Sequence, residues 1–252
     1  MLIAMPAAPV DILLYVFVAV CSLQWLGWAI LFGGMLKIKP AVRTAQAPPP
    51  LSIVVAARNE LTNLQQLVPA LLAQDHPDFE VIIVNDRSAD GTHEWLRQQT
   101  EAHPRLRMVQ VEHLPDHING KKYALTLGIK AARHRQVLLT DADCQPASVH
   151  WAALMAGGFR GATDIVLGFS HYAQRPGWLN YFIRFETMLT GIQYLGAAAL
   201  GRPYMGVGRN LAYKKALFLE SKGFNGIQHL TGGDDDLLIN RLATGRNTRV
   251  VV

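Results

Sequence analysis

The feature that most constrains this chain is an uncharged apolar run that begins at Ile12 and ends at Leu36. A helix of that length is about 37 Å long and would cross a hydrocarbon core of about 30 Å with some tilt. A buried helix of a soluble protein rarely runs so far without a charge. A cleaved signal peptide is disfavoured, because no Lys or Arg precedes the run and no Ala-x-Ala site follows it. We therefore predict a transmembrane helix over residues 12–36.

The charges on either side of this run predict its orientation. Lys37, Lys39 and Arg43 follow it, whereas only Asp11 and the amino terminus precede it. Because positive residues flank the cytoplasmic end of a span, the rest of the chain is expected in the cytoplasm. Residues 1–11 then form a short non-cytoplasmic tail.

The next segment, residues 37–50, is rich in proline, which removes backbone donors and favours an extended chain, so we predict a semi-rigid tether. Residues 51–252 have the length of one domain. Basic residues exceed acidic ones by 24 to 19, which suits a negative membrane surface or an anionic substrate. We expect no nucleic-acid partner. Cys21 in the bilayer and Cys144 in the cytoplasm could not pair, in agreement with a reducing compartment.

Short apolar runs alternate with segments of helical spacing after residue 50. Strands are predicted over 51–57, 80–86, 105–112 and 136–143, and helices over 63–74, 90–102 and 120–134, with Thr62 and Asp90 as helix caps. This alternation predicts an α/β fold with a mostly parallel sheet and helices on both faces. Ligands of such sheets bind at the carboxyl ends of the strands, where the polar clusters of this chain fall.

The pattern is looser in the second part of the chain. A strand is predicted over 164–172. The apolar segment 176–201 is interrupted by Arg184 and Glu186, which makes it a poor spanning segment. It is interpreted as a helix that lies either on the core or in the membrane interface.

Two carboxylates, Asp141 and Asp143, follow the fourth predicted strand. Side chains two positions apart in an extended chain point the same way, so the pair could hold Mg²⁺ or Mn²⁺ beside a diphosphate. Asp86 ends the second predicted strand and could accept hydrogen bonds from a ribose or a base, or could cap the next turn. Lys121 lies in the first turn of a predicted helix, where it could meet phosphate.

A run of three aspartates, Asp234, Asp235 and Asp236, precedes an apolar stretch. Such a run often opens a helix, because acids favour the amino end of the helix dipole. A carboxylate held there could also take a proton from a substrate hydroxyl. The two interpretations do not exclude each other.

Six segments together resemble, in order and spacing, the motifs of family 2 glycosyltransferases: SIVVAARNE, VIIVNDRSADGT, GKKYAL, TDADC, GRNLAY and GDDDLL. The resemblance covers about residues 51–245. It implies the GT-A fold, with a nucleotide-binding half and an acceptor half in one domain. A single membrane helix before the domain is also similar to membrane-bound members of that family.

The resemblance implies an inverting glycosyltransferase of the hexosyltransferase class. The expected donor is a nucleotide-diphosphate sugar, preferably a UDP-sugar, and the expected acceptor is a hydroxyl of a glycan or lipid at the cytoplasmic membrane face. A divalent metal, Mg²⁺ or Mn²⁺, is the implied cofactor, with Asp143 as its ligand. The remaining implied residues are Ala57, Arg58, Glu60, Asp86, Lys121 and Asp141 for the nucleotide sugar, Gly208 and Asn210 for the acceptor side, and Asp235 as catalytic base, with Asp234 beside it.

The chain departs from the family pattern in places. Ala57 and Arg58 stand where many members have Pro and an aromatic residue, and Thr126 stands where Asn is common. The chain stops at Val252 inside a predicted strand, before the Gln-x-x-Arg-Trp motif of processive members, so we expect that a C-terminal part is lacking. The alternative function is a membrane-tethered, non-catalytic nucleotide-binding or scaffold protein.

Overall fold

A computed structural model describes residues 9–42 and 47–252. The helices of this part of the chain are α1 (Pro9–Met35), α2 (Leu61–Leu72), α3 (Thr92–Ala102), α4 (Gly120–Ala131), α5 (Trp151–Ala156), α6 (Trp178–Ala199), α7 (Lys215–Glu220) and α8 (Asp236–Leu242). The strands are β1 (Leu51–Ala57), β2 (Phe79–Asp86), β3 (Leu106–Val111), β4 (Gln136–Leu139), β5 (Ile165–Gly168), β6 (Leu211–Lys214) and β7 (Thr248–Val251). A 3₁₀ turn, Gly208–Asn210, precedes β6.

The strands form one seven-stranded sheet in the order β3-β2-β1-β4-β6-β5-β7. The first four strands are parallel, and β7 is parallel to β5. Strand β6 runs antiparallel between β4 and β5, although both precede it in the chain. The predicted α/β architecture with a mostly parallel sheet is therefore confirmed.

Two apolar clusters cover opposite faces of this sheet. One face packs against α2, α3 and α5, and the other packs against α4, α6, α7 and α8. The side chains alternate as a pleated strand requires: Ile53 and Val55 belong to the first cluster, and Val54 belongs to the second. Helix α4 packs closely, since a Cβ at Gly128 would lie 2.5 Å from Val54 Cγ1. Helices on both faces are thus confirmed.

The apolar run of the sequence forms α1, and this helix begins three residues before the run does. The helix begins at Pro9, inside the predicted tail, and ends at Met35. Its span Asp11–Met35 is long and apolar enough to cross a membrane. Residues 1–8 of the predicted tail lie outside the described residues.

The described part of the predicted tether is neither helix nor strand. It is nevertheless held in place, because Ala41 N donates to Val252 O at 2.9 Å and Ile38 packs against the second cluster. Residues 43–46, and with them Arg43, lie outside the described part of the chain.

Helix α6 lies between the sheet and α1. Most of its buried residues lie on one stripe, of which Tyr194, Leu195 and Ala198 pack in the second cluster on the sheet and Gly191 packs against Phe169. The end of α1 packs on its other side, where a Cβ at Gly196 would lie 2.6 Å from Leu31 O. The core interpretation of this segment is confirmed for these contacts.

Several predicted boundaries were wrong. Strand β5 ends at Gly168 rather than at residue 172, and α4 ends at Ala131 rather than at residue 134. Strand β4 ends at Leu139 rather than at residue 143, because the chain turns after Thr140. Helix α2 starts at Leu61 with Glu60 at the cap position, so Thr62 is already helical. Gly91, with φ 88°, is the cap residue of α3. Asp90 still accepts a hydrogen bond from Thr92 N at 3.1 Å, one position before the true cap.

Candidate functional site

The loops after β1 and β2 are joined by side chain to backbone hydrogen bonds. Asn59 N donates to Ser88 Oγ at 2.9 Å, and Asn59 Oδ1 accepts from Ala89 N at 2.8 Å. Asp90 Oδ2 accepts from Leu61 N at 3.0 Å. Asn59 is left-handed (φ 56°), a conformation that asparagine tolerates better than most residues. The two strand ends are therefore fixed relative to each other.

The first motif ends at this junction. Ala57 is the last residue of β1 and is buried, whereas Arg58 is exposed. Glu60 accepts a hydrogen bond from Asn63 Nδ2 at 2.6 Å through Oε2, so its carboxylate lies against the first turn of α2. Of the three, the exposed Arg58 side chain is the one that can reach a ligand without breaking a described contact.

Asp86 is the last residue of β2 and lies next to the junction of the loops after β1 and β2. It is 5% exposed, and its Oδ1 accepts from Arg87 Nε at 2.8 Å. The start of α4 lies against it, because a Cβ at Gly120 would be 2.8 Å from Asp86 Oδ2. Arg87 is left-handed (φ 56°) and its Nη2 is buried without a partner among the described residues. A strained, basic residue at this point suits an anionic ligand.

The sequence analysis predicted that Asp141 and Asp143 point the same way from the end of a strand. This prediction was wrong, because both residues lie beyond the end of β4. They lie in a turn closed by the bond from Cys144 N to Asp141 O at 3.2 Å. Asp141 is partly buried and Asp143 is exposed. Burial and these two carboxylates raise the pKa of the Cys144 thiol to about 11, so this cysteine is a neutral neighbour of the site.

Lys121 links the aspartate pair to the later aspartate run. Its Nζ lies 3.0 Å from Asp141 Oδ1 and 3.5 Å from Asp234 Oδ2. Asn119 caps α4 just before it, with Oδ1 accepting from Lys121 N at 3.1 Å. Burial lowers the pKa of Lys121, but the carboxylates of Asp141 and Asp234 outweigh that effect and raise it. The lysine therefore stays charged between two parts of the chain that are far apart in sequence.

Asp235 is held by two backbone donors. Its Oδ2 accepts from Gly208 N at 2.5 Å, and its Oδ1 accepts from Asp236 N at 2.9 Å as the cap of α8. The aspartate run thus opens a packed helix, as predicted. The contact with Gly208 also joins the fifth and sixth motifs, so the predicted acceptor-side glycine lies beside the predicted base.

Asp236 has a different environment from its two neighbours. Its Oδ1 is buried and has no hydrogen-bond partner within residues 9–42 and 47–252. Burial, together with Asp235 and Asp234, raises the pKa of Asp236 to about 6. This carboxyl group is therefore partly protonated near pH 6, and no local sequence pattern separates Asp236 from the other two aspartates.

Asn210, predicted on the acceptor side, uses its amide to hold the structure together. Oδ1 accepts from Trp151 Nε1 at 2.9 Å, and Nδ2 donates to Phe169 O at 2.8 Å. The side chain packs against Gly168, where a Cβ would overlap it. These contacts give Asn210 a role in positioning the 3₁₀ turn before β6.

Lys122 was missed by the sequence analysis. It is 1% exposed, and its Nζ donates to Leu230 O at 2.7 Å and to Gly232 O. Burial lowers the pKa of Lys122, an effect that Asp234 and Asp235 oppose. The lysine thereby ties α4 to the loop that leads into the aspartate run. No local signal marks this role, because a lysine in the first turn of a helix is usually solvated.

The aspartate pair fits a divalent cation bound together with a diphosphate. The described residues contain no group of three or more His, Cys, Asp or Glu side chains that could hold a metal by themselves. Magnesium sites beside phosphates typically use one or two carboxylates and take their other ligands from substrate oxygens and water. The exposed Asp143 and the partly buried Asp141 supply such a donor set.

A cavity of about 160 Å³ lies beside the Gly208 contact. It is lined by the loop after β5, one side of α6 and the segment that leads to β6, with Tyr172, Thr187, Tyr194 and Arg209 among its residues. The Arg209 guanidinium lies over the Tyr172 ring, 4.8 Å from the ring centroid. A larger cavity of about 1460 Å³ is lined by the tether, β7 and residues that precede β1 and β2, and it contains none of the motif residues.

Comparison with known proteins identifies the family. Residues 52–218 match the family described as Glycosyl transferase family 2. This range includes Asp86, Lys121, Asp141 and Asp143 and ends before the aspartate run. A poly-beta-1,6-N-acetyl-D-glucosamine synthase of Staphylococcus epidermidis is 31% identical over 129 residues, which is 48% of this chain and 30% of the relative. Glycosyltransferase AglE of Haloferax volcanii is 30% identical over 39% of this chain and 32% of its own length.

The chain thus spans about a third or less of the curated relatives it matches. Among solved structures, the mannosyltransferase PcManGT of Pyrobaculum calidifontis, in complex with GDP-Man and Mn²⁺, is similar with a TM-score of 0.69 and 20% identity. That likeness covers 93% of this chain and 64% of the other. TarS 1–349 of S. aureus, in complex with UDP-GlcNAc, has a TM-score of 0.55 and 19% identity, over 80% and 56% of the two chains. These similarities establish the GT-A fold. With two thirds of its length matched by the family, the chain belongs to glycosyl transferase family 2.

Proposed function

We propose that this protein transfers a hexose, with inversion, from a nucleotide-diphosphate sugar to a hydroxyl of a glycan or lipid. The observation that carries the proposal is the position of Lys121 between Asp141 and Asp234. It brings the motif assigned to the donor and the motif assigned to the base to one place at the carboxyl ends of the strands, where ligands of such sheets bind.

The proposed step is a single displacement. Asp235 takes the proton of the acceptor hydroxyl while that oxygen forms a bond to the anomeric carbon. The bond from the anomeric carbon to the diphosphate oxygen breaks, and its electron pair leaves with the nucleoside diphosphate. Attack opposite to the leaving group inverts the configuration. The backbone donors of Gly208 and Asp236 hold the Asp235 carboxylate in one orientation for this task.

The donor is proposed to lie along the loops after β1, β2 and β4. Asp86 faces the nucleoside, and Arg58, Glu60 and Ala57 border the same edge. Asp143, with Asp141 beside it, would hold Mg²⁺ or Mn²⁺, which as a Lewis acid would neutralise charge on the leaving diphosphate. Lys121 adds a second positive charge next to Asp141.

A UDP-sugar is the proposed donor, by analogy with two similar proteins. One curated relative is named as a poly-N-acetylglucosamine synthase, and the TarS structure holds UDP-GlcNAc. The mannosyltransferase structure holds GDP-Man and Mn²⁺, which makes GDP-mannose the donor to compare with it.

The proposed location is the cytoplasmic face of a membrane crossed by α1. Support comes from the exposed apolar surface of α1 and from Lys37 and Lys39, which follow it. Cytoplasmic placement would also give the site access to sugar nucleotides. A reporter fused after α1 should behave as cytoplasmic, and a periplasmic signal would reverse this topology.

Calorimetry of the full chain with UDP and with GDP, in the presence and absence of Mn²⁺, tests the donor assignment. Asp143→Asn should lose the Mn²⁺-dependent part of nucleotide binding, because an amide is a weaker ligand than a carboxylate. The matched control is Asp78→Asn, since Asp78 is exposed and lies before β2, at the opposite edge of the sheet. Metal-dependent binding that survives in Asp143→Asn would contradict the metal assignment.

The alternative function, a non-catalytic nucleotide-binding or scaffold protein, predicts a different pair of results. Nucleotide and Mn²⁺ would bind, but sugar would not be released or transferred from any UDP- or GDP-sugar. Turnover that depends on both Asp143 and Asp235 would exclude this alternative.

A further inference from the structure

The first half of α6 carries an apolar face that no part of the described chain covers. Trp178 is 80% exposed and Tyr181 is 71% exposed, and Phe182, Phe185 and Met188 are also exposed. At 3.6 residues per turn these five side chains lie on the side of the helix opposite to the buried stripe that includes Thr187 and Tyr194. We call these five residues the α6 apolar face.

The face continues onto the surface that α1 covers. Gly196 follows Trp178 by about five full turns of helix, so both residues lie on the same side of α6. There a Cβ at Gly196 would meet Leu31 O at 2.6 Å, which shows that the backbones of α1 and α6 touch. One continuous side of α6 is therefore covered by α1 in its second half and bare in its first half.

The order of the contacts gives the relative direction of the two helices. A Cβ at Gly196 would meet Leu31, and a Cβ at Gly34 would meet Gly196 O and Leu200 Cγ. Later residues of α1 thus meet later residues of α6, so the helices run in the same general direction. From the contact near Gly196, the first half of α6 and the earlier residues of α1 therefore extend in the same general direction.

The helices also diverge away from this contact. The residues of α1 before Gly27 are largely exposed. The distance between the two helices therefore increases from Gly196 toward Trp178. Glu186 is exposed at one border of the apolar face, and Arg184 is partly exposed on the side of the buried stripe, so both charged heads can reach water beside an apolar surface. Such a helix suits an oblique position at the membrane surface and does not suit a second span.

We propose that the α6 apolar face lies in the headgroup interface of the same phospholipid bilayer that α1 crosses. The composition of the face fits this occupant, because Trp and Tyr favour the interface and a charge-free face borders the acyl region. The start of α6 is held for this role, since Asn180 Oδ1 accepts from Arg175 N and its Nδ2 donates to Ala173 O.

This inference rests on the proposed anchoring by α1, and it deepens the proposed function. The other side of α6 lines the cavity of about 160 Å³ through Thr187 and Tyr194. Arg209 of that cavity follows Gly208, whose N–H donates to Asp235. A helix that lies on the membrane therefore borders the acceptor side of the site, which favours an acceptor hydroxyl carried by a lipid.

The test uses the full chain in phosphatidylcholine vesicles, with Cys21 and Cys144 replaced by Ser. A polarity-sensitive fluorophore is attached to Phe182→Cys on the α6 apolar face, to Leu23→Cys on α1, or to Gln98→Cys on α3. Leu23 and Gln98 are both exposed, so these sites serve as the membrane control and the aqueous control. Quenchers are nitroxides near the lipid headgroup, nitroxides near the acyl chain end, and iodide in the buffer.

We expect the Phe182 probe to lose emission several-fold with the headgroup-proximal nitroxide and less with the deep nitroxide, and to be protected from iodide relative to Gln98. Iodide quenching of the Phe182 probe equal to that of Gln98 would overturn the inference while Leu23 still reports a membrane span. Protection from iodide without nitroxide quenching would also overturn it, in favour of a protein surface such as a second copy. A Leu23 probe that lipid nitroxides do not quench would instead refute the anchoring itself.

Discussion

The proposed donor half of the domain, residues 51–143, and the proposed acceptor half, residues 144–252, hold their candidate site residues by different means. In the donor half, β1, β2 and β4 are parallel, so their ends meet at one edge and bring Ala57, Asp86 and Asp141 together. In the acceptor half, Gly208 begins a 3₁₀ turn and Asp235 caps the short helix α8. Asp235 is held by its hydrogen bonds from Gly208 N and Asp236 N and by the packing of α8 in the second apolar cluster.

Other contacts reach across to the donor half. Lys121 meets Asp234, and Lys122 donates to two carbonyls of the loop before the aspartate run. Both lysines sit in the first turn of α4. The donor half is therefore a framework set by strand pairing, whereas the loop before Asp235, the proposed base, is held by contacts with that framework.

The largest effect is expected at Asp235, the proposed catalytic base. Asp235→Asn keeps the size of the side chain, but its single carbonyl oxygen can accept from only one of Gly208 N and Asp236 N, and the amide cannot take up the hydroxyl proton at neutral pH. Transfer should fall by about 10²–10⁴-fold, the usual contribution of a general base, with the dissociation constant of the nucleotide nearly unchanged. Steady-state transfer and calorimetry measure the two quantities. If Asp234→Asn shows this pattern instead, the base is one position earlier.

A buried carboxylate tests the framework of the donor half. Glu80 is 3% exposed and accepts from Ser52 Oγ at 2.7 Å, Arg107 Nη1 at 2.9 Å and Arg133 N at 2.6 Å. Glu80→Ala leaves these donors unpaired and should lower the free energy of unfolding by about 1–3 kcal/mol. The control Glu101→Ala, in an exposed pair with Arg97, should stay within about 0.5 kcal/mol. Equal losses of unfolding free energy in Glu80→Ala and Glu101→Ala would show that the buried contacts of Glu80 contribute no more than an exposed ion pair.

The same carboxylate predicts a pH dependence. Burial would raise the pKa of Glu80, but its hydrogen bonds from Arg133, Arg107 and Ser52 outweigh burial and lower the pKa. Its contribution to stability is therefore complete above its unfolded-state pKa of about 4.5 and is lost as pH falls through the lower folded-state value. Denaturant unfolding at a series of pH values should show this loss in the wild type and not in Glu80→Ala.

Lys122 tests whether the acceptor half depends on the donor half. Lys122→Met should leave the carbonyls of Leu230 and Gly232 unpaired and loosen the loop before the base. We expect transfer to fall on the order of tenfold, which corresponds to about 1.4 kcal/mol, while nucleotide affinity is kept. The control is Lys130→Met, an exposed position on the same helix. Hydrogen exchange should be faster in residues 225–235 of Lys122→Met alone, and unchanged exchange would break the proposed dependence.

The smallest effect is expected at Asp236, and its sign is opposite to that of Glu80. The pKa of Asp236 is about 6 in the folded chain and about 4 in an unfolded chain, so the folded state favours the protonated form. Stability should therefore fall as pH rises between these values. Asp236→Asn should raise stability at pH 7.5 by on the order of 1 kcal/mol, after allowance for partial exposure, and by less at pH 4. Thermal unfolding at the two pH values measures the difference.

The donor half was predictable because its signals are local. Apolar runs and turn residues placed β1, β2 and α4 within a few residues, and the motifs located the end of β2 with Asp86 and the start of α4 with Lys121. The end of β4 was predicted too late, because nothing in the run Leu-Leu-Thr-Asp marks where the strand stops and the turn begins. The network of Asn59, Ser88 and Asp90 was also missed, although all three are residue types that favour turns.

The acceptor half was less predictable, because its contacts join residues far apart in sequence. Nothing near Lys122 indicates that it meets Leu230 and Gly232, and nothing near Asn210 indicates that it meets Trp151. The GRNLAY motif located the turn before β6 but not the role of its asparagine. Asp234, Asp235 and Asp236 differ in burial and in contact with Gly208. These differences, which bear on which of the three is the proposed base, exist only in the folded chain.

Strand β6 has a consequence for the order in which the chain is made. It fills the place between β4 and β5, yet it begins at Leu211, long after β4 has ended at Leu139. At about 5–20 residues per second, roughly 4–14 s pass between the synthesis of these two strands. During that interval the apolar edge of β4 has no partner of its own and can pair with another nascent chain. The speed of translation through residues 140–211 therefore sets how long each new molecule is open to aggregation.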